Sequence, residues 1–439
     1  MRALRPASTV YKVKATAELG SAAMHRLNDA RILMYSHDTF GLGHLRRCRT
    51  IAHALVDRYK GLGVLIISGS QIAGAFDFKA RVDFVKIPSV IKLYSGEYTS
   101  ISEHIDIGDT LAMREELILQ TAKLFHPDIF IADKEPLGLR GEIGPALAAL
   151  KAEGCCNVLG LRDVMDSPEL LAEEWTRKET LGSMSGLYDD IWIYGSKPFW
   201  NPLQGLEVPQ DVQDLTRYMG FLPRETPAAD NVENLQLPDD YILVTAGGGG
   251  DGADLMSTVL AAREHDATFG THLLLVPGPF MGSEERGEVH RRASTLDGVT
   301  VIDFDNAMES LIANATAVVG MCGYNTFCEI MSFDKPALFV PRTHPREEQL
   351  IRASRAHEVG IATMLDADRA ADPTTMAAAL RALTGQNKPS ASEFEVDFSG
   401  LDAICDRVGE ILVGQTDERE ERVAETTRVE PAALEAVPN

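Results

Sequence analysis

The segment Gly320-Met321-Cys322-Gly323-Tyr324-Asn325-Thr326-Phe327-Cys328-Glu329 follows a buried-strand pattern, Thr316-Ala317-Val318-Val319, and its spacing predicts a helix opening at a glycine turn. Backbone N–H groups left free at a helix start point at whatever lies above the strand ends, so Gly323, Tyr324, Asn325 and Thr326 are candidates for holding a phosphate. Glu329 falls about one helical turn further on, where a carboxylate can accept hydrogen bonds from two neighbouring ribose hydroxyls. Phosphate and sugar of one nucleotide could thus be held together. Thr326 and Glu329 also spell T-x-x-E, the pattern of a capping box that only satisfies backbone amides. The ligand and capping readings compete for the same residues.

Other turns carry chemistry of the same kind. Ser36-His37-Asp38-Thr39-Phe40-Gly41-Leu42-Gly43-His44 leaves a strand and enters a helix, with Gly41 and Gly43 allowing close approach of the backbone to a ligand. It is not a dinucleotide fingerprint, because Arg46 stands at the third glycine position and the next strand ends in Ser68-Gly69-Ser70 with no acid for an adenosine ribose. His44 is the first candidate general base, since an imidazole titrating near neutrality can take a proton from a hydroxyl or from water; His37 reads as structural. Gly247-Gly248-Gly249-Gly250 forms a second glycine turn whose amides can nest a diphosphate. Asp133 and Arg162 follow strand patterns where active-site loops emerge, the first as a second candidate base and the second as a candidate phosphate contact. Asp303-Phe304-Asp305 and Asp366-Ala367-Asp368 give D-x-D patterns, which in so acidic a chain are read as chance, and no metal site or cofactor is expected.

The elements that must position these turns alternate. From Arg31, short apolar runs at Ile32–Tyr35, Val64–Ile67, Val82–Ile87, Ile129–Ala132, Val158–Leu161 and Ile191–Tyr194 are separated by helix-like segments. A Pro-rich stretch at 221–240 reads as a linker, and the alternation restarts at Tyr241–Thr245 and runs to Leu412. The expected organisation is a flexible arm over 1–30, a Rossmann-like domain over 31–220, the linker, a second Rossmann-like domain over 241–412, and a charged flexible tail over 413–439. This is α/β patterning with two doubly wound parallel sheets facing a central cleft. The 439 residues carry 42 Lys plus Arg against 65 Asp plus Glu, a formal charge of -23 that opposes attraction to nucleic acid. The six cysteines lack zinc spacing and read as reduced thiols. No apolar run approaches the ~20 residues that span a bilayer, so a cytoplasmic location is expected.

The stretch from Gly320 through Ala337-Leu338-Phe339-Val340-Pro341 into Arg342-Thr343-His344-Pro345-Arg346-Glu347-Glu348-Gln349 resembles the donor-binding half of nucleotide-sugar glycosyltransferases of family 28. The family includes the peptidoglycan lipid-linked N-acetylglucosaminyltransferase. The resemblance implies the GT-B arrangement, a nucleotide-sugar donor that is a co-substrate rather than a cofactor, and inverting transfer of a hexose-type sugar, UDP-linked, to an acceptor hydroxyl. It implies that Glu329 grips the ribose, that Gln349 meets the donor sugar with His344 in the donor-binding loop ahead of it, and that the diphosphate is stabilised without metal. Gly41, Gly43, His44, Arg47, Ile51 and Ala52 also match the G-x-G-H-x-x-R signature of a nucleotide-sugar hydrolase on this fold, which keeps a hydrolase or 2-epimerase as the alternative. A nucleotide-sugar-binding regulatory module is the third reading. Met321, Glu347 and Glu348 depart from the family pattern, leaving donor sugar open; the acceptor, whether glycan, lipid-linked or small molecule, is open too. The resemblance and basic residues near the start allow peripheral contact with the inner face of a membrane. The segment 89–109 is a candidate acceptor loop.

Overall fold

The strand and helix alternation folds as two parallel sheets in the computed structural model, which describes residues 29–37, 43–92, 98–101, 104–226, 237–248, 250–303 and 308–428, with side chains of the final helix described to Gln415. The arm at 1–28, most of the linker (227–236) and the last residues of the tail (429–439) lie outside the described residues.

The first domain contains β1 (Arg31–Ser36), β2 (Gly63–Ser68), β3 (Val82–Lys86), β4 (Val90–Lys92), β5 (Tyr98–Ser100), β6 (Ile129–Asp133), β7 (Cys156–Arg162), β8 (Asp190–Tyr194) and β9 (Thr216–Tyr218). The second contains β10 (Tyr241–Thr245), β11 (His272–Val276), β12 (Val299–Val301), β13 (Ala317–Gly320), β14 (Ala337–Phe339) and β15 (Thr363–Met364). Their sheets run β3-β2-β1-β6-β7-β8-β9 and β12-β11-β10-β13-β14-β15. Continuous apolar strands such as Ile129-Phe130-Ile131-Ala132, every residue buried, follow from helices covering both faces of a parallel sheet. The short antiparallel hairpin β4–β5 stands apart within the segment read as a loop.

Strand order reverses between β1 and β6 in one sheet and between β10 and β13 in the other, and β1 pairs with β6 from Ile32↔Ile129 as β10 pairs with β13 from Ile242↔Ala317. Ligands of open α/β sheets bind outside the strand ends at such switch points. The turns carrying His44, Asp133, Gly247 and the 320–329 segment leave these four strands.

The domains are held together by apolar and ionic contacts. Phe199 of the first domain and Phe221 at the start of the linker lie 5.3 and 5.2 Å from Phe327 of the second domain, ring centre to ring centre. Arg352 donates through Nε and Nη2 to Asp163 at 2.8 and 2.7 Å, and both side chains are fully buried. The final helix, Gly400–Arg428, returns to the first domain: Tyr59 Oη donates to the Cys405 carbonyl at 2.7 Å and Arg407 Nε meets Asp190 at 2.5 Å. Residues 413–428, expected as part of a flexible tail, continue this helix because Ile404, Cys405, Val408 and Leu412 anchor its earlier turns in the shared core. Among the described residues no helix is long and apolar enough to cross a membrane.

Candidate active site

His44 sits in the first turn of α1 (Gly43–Arg58), with its Nδ1 against Oδ2 of Asp133 at the end of β6. Arg47, one turn along α1, donates through Nε and Nη2 to the two oxygens of Asp133, each at 2.7 Å. Burial opposes ionisation of Asp133, but the charge of Arg47, with the hydrogen bonds from His44 and Arg47, outweighs it and holds the carboxyl well below the usual range. An ionised Asp133 only accepts, so the hydrogen between it and Nδ1 belongs to the imidazole. Burial lowers His44 to about 4 against the opposing pull of Asp133, so the ring is neutral at pH 7 and its free basic nitrogen is Nε2. Asp133, expected as a second candidate base, has both oxygens engaged by Arg47 and one of them also against His44 Nδ1. His37 is buried against Tyr35, with Nδ1 3.3 Å from the phenol oxygen.

Across the cleft, β13 leads through Gly323 into α2 (Tyr324–Ser332). Gly323 is the cap residue, with φ -62 and ψ 154, and no side chain caps this helix. The T-x-x-E capping box is therefore not formed: Thr326 lies in the first turn and Glu329 in the second, beyond reach of the free amides. Glu329 is 2% exposed, and its Oε1 lies 2.6 Å from Nη2 of Arg46, a residue of α1 in the other domain. The approach is ionic rather than aligned, since that oxygen accepts no hydrogen bond. Arg46 also donates to Glu309 at 2.9 Å. One guanidinium thus serves two carboxylates. Burial and the second carboxylate raise Glu329 to about 7 in spite of Arg46, while Glu309 is held below its ordinary value by that guanidinium against its own burial.

A cavity between the domains is lined by Gly43, His44, Arg46, Arg47 and Arg162 from one side and by Gly247, Gly248, Gly323, Tyr324, Asn325, Thr326, Glu329 and Gln349 from the other. The fold brings these sequence candidates together. Gly247 has φ 66, a conformation for glycine, and its N–H donates to Thr245 Oγ1 at 3.1 Å. Asn325 is a brace between domains, donating to the Gly43 carbonyl at 2.9 Å and accepting from Arg224 at 2.9 Å. The guanidinium groups of Arg47 and Arg352 lie 5.4 and 5.8 Å from the centre of the Tyr324 ring. His344 departs from expectation: it is exposed in the loop after β14 and does not line the cavity, because the chain turns outward there before Gln349 comes back in. Gly41 and Gly249 lie outside the described residues. Of the D-x-D patterns, Asp303 pairs with His290 at 2.7 Å and Asp366 caps a helix at Arg369 N, neither lining the cavity.

Several site residues have no local sequence signal. Arg46 and the Asp163–Arg352 pair act across domains, so their partners lie well over a hundred residues away in sequence. Glu348, noted only as a departure from pattern, is 4% exposed in the cavity wall beside Gln349 and accepts from Arg342 at 2.7 Å. The clue available was the adjacency of Arg46 and Arg47 to His44, which puts two cations one turn from a candidate base. A neutral imidazole, a helix start with free amides and a buried carboxylate around one cavity can deprotonate a hydroxyl, cradle a diphosphate and grip a diol.

Comparison with known proteins agrees with this geometry. Residues 241–397 match the glycosyltransferase family 28 C-terminal domain. An uncharacterized glycosyltransferase of Methanosarcina acetivorans is 23% identical over 344 residues, covering 74% of this chain and 83% of the relative. Among solved structures, MurG of Acinetobacter baumannii superposes with a TM-score of 0.55 at 14% identity over 87% of this chain and 99% of that one. A Polygonum tinctorium UDP-glucosyltransferase capable of glucosylating indoxyl gives a TM-score of 0.56 at 12% identity over 88% of this chain and 98% of that one. With its glycosyltransferase relatives and its two facing parallel sheets, this chain is a glycosyltransferase with the GT-B fold, and its second domain is similar to the family 28 C-terminal domain.

Proposed function

We propose that the enzyme transfers a hexose-type sugar, with inversion, from a UDP-linked donor to an acceptor hydroxyl presented by the first domain. The observation that carries this reading is the joint lining of one cavity by His44, with Nε2 as its free base, and by the start of α2 with Glu329. In the reaction Nε2 takes the acceptor proton as the hydroxyl oxygen bonds to the anomeric carbon. The bond from that carbon to the diphosphate oxygen breaks on the opposite face, and the diphosphate leaves with the electron pair. Asp133 stabilises the imidazolium that forms. The turn after β10 and the amides opening α2 take up the charge on the leaving group, and Glu329 accepts from the ribose hydroxyls.

The test is to follow UDP-glucose by NMR with and without a panel of hydroxyl acceptors. The reading expects a β-linked product from the α-linked donor and slow donor loss when acceptor is omitted. Retained anomeric configuration would contradict it, and donor consumption at full rate without acceptor would favour hydrolysis.

A further inference from the structure

Arg46 of α1 turns one nitrogen, Nη2, toward two carboxylates of the second domain. Glu309 takes an aligned hydrogen bond from it at 2.9 Å, whereas Oε1 of Glu329 lies 2.6 Å from the same nitrogen and accepts no hydrogen bond. Proximity without alignment keeps the Coulomb attraction and forgoes the directional part of a charge-assisted bond. Arg46 is therefore anchored on Glu309 and only drawn toward Glu329. That Glu329 oxygen also has no accessible surface, although Glu329 and Arg46 both line the cavity. A ribose hydroxyl must come within about 2.5–3.0 Å of a carboxylate oxygen to bond to it, and at Oε1 that shell is taken by the guanidinium. Glu329 can offer Oε1 to a ligand only after Arg46 has moved. Moving it out of reach of both acids would strand a guanidinium, which is costly away from water, but Glu309 is a partner that stays.

We propose that Arg46 is a gating residue: it covers the carboxylate assigned to the ribose, and an entering nucleotide displaces it from Glu329 while Glu309 retains it. This rests on the assignment of Glu329 to the ribose made above. Because Arg46 comes from the first domain and both acids from the second, the cover exists only where the domains meet across the cleft. The cleft thus closes on itself, and the nucleotide exchanges one cross-domain contact for contacts of its own, so its affinity depends on how firmly Arg46 is held elsewhere. Glu309, which does not line the cavity, thereby tunes nucleotide affinity without touching the nucleotide.

Calorimetric titration of UDP-glucose at about pH 9, on the alkaline side of Glu329, tests the gate in wild type, Glu309→Gln and the double variant Glu309→Gln/Arg46→Met. Glu309→Gln leaves Arg46 to Glu329 alone, so affinity should fall roughly tenfold, the size of a hydrogen bond to a charged group. Adding Arg46→Met should recover that loss, because with no guanidinium to displace, the side chain at 309 no longer matters. A weaker version of the loss is expected of Glu309→Asp, whose shorter side chain reaches Arg46 less well. Arg46, Glu309 and Arg224 are the charges acting on Glu329, and Glu309 is the one that raises it, so Glu309→Gln should also carry the acid-side fall in affinity to lower pH. Pyrophosphate, which has no ribose, should bind Glu309→Gln as it binds wild type. A double variant binding UDP-glucose as weakly as Glu309→Gln would overturn the gate. So would unchanged affinity in Glu309→Gln, or an equal loss for pyrophosphate, which would make Glu309 a structural support. These results leave the donor site standing, whereas wild-type affinity in Glu329→Ala would overturn the ribose assignment and the gate with it.

Discussion

His44 and Glu329 sit on opposite walls of the cavity and should fail in different ways. His44→Ala is expected to leave donor affinity near wild type and lower turnover roughly 10²–10⁴-fold, the usual contribution of a general base. Turnover close to wild type in a folded His44→Ala protein would remove the histidine from the mechanism. Glu329 offers a pH signature. With burial and Glu309 raising it to about 7, it is a carboxylate able to accept two ribose hydroxyls only above that pH. Its protonation below pH 7 withdraws an acceptor, so donor affinity should be flat on the alkaline side and fall toward tenfold per unit on the acid side. His44, already neutral above about 4, adds no step in this range. Titrating UDP-glucose between pH 5 and pH 9 checks the sign, because its diphosphate does not ionise there. A step near 7 that persists in Glu329→Gln would assign it to another group.

At the scale of elements, the donor turn depends on close backbone packing. Gly278, after β11, has φ 97, and a Cβ there would lie 2.6 Å from the Gly247 carbonyl oxygen. Gly278→Ala should therefore push the turn after β10 out of place and weaken donor binding roughly tenfold, with a stability loss of about 1–3 kcal/mol for overpacking; binding unchanged by the substitution would show that the turn does not hold the donor. The start of α2 and this turn supply the charge stabilisation in the proposed mechanism, so turnover should survive EDTA and desalting. Complete loss restored by Mg²⁺ would contradict that. These turns were legible in the sequence because glycine marks the strand end and apolar runs mark the strand before it. The short strands β4, β5 and β9 were not, since three residues are too few to show a period. Thr326 and Glu329 show the same limit: one spacing fits a cap and a ligand site, and only the position of Gly323 as the cap residue decides.

For the whole molecule, what the sequence hid was the contact between domains. Two sheets and a cleft follow from the alternation of strands and helices, but Arg46 reaching Glu329 and Arg352 reaching Asp163 follow only from how the domains close. The Asp163–Arg352 pair is fully buried, so Arg352→Ala leaves a carboxylate without its partner and should destabilise the protein by about 3–5 kcal/mol, read by urea denaturation. A loss below about 1 kcal/mol, the size of a surface pair, would mean the interface opens freely. Closure also places Arg46 on the carboxylate assigned to the ribose, so the donor must displace that guanidinium from Glu329, and Arg46 retains Glu309 as a partner. The central claim is that this cleft holds a nucleotide through Glu329. Calorimetric titration of UDP-glucose at about pH 8 into wild type and Glu329→Ala tests it directly. The account predicts saturable one-to-one binding by wild type and a loss of about 1.5–3 kcal/mol in the variant, the range for hydrogen bonds to a charged group, while equal affinity in the two folded proteins would contradict it.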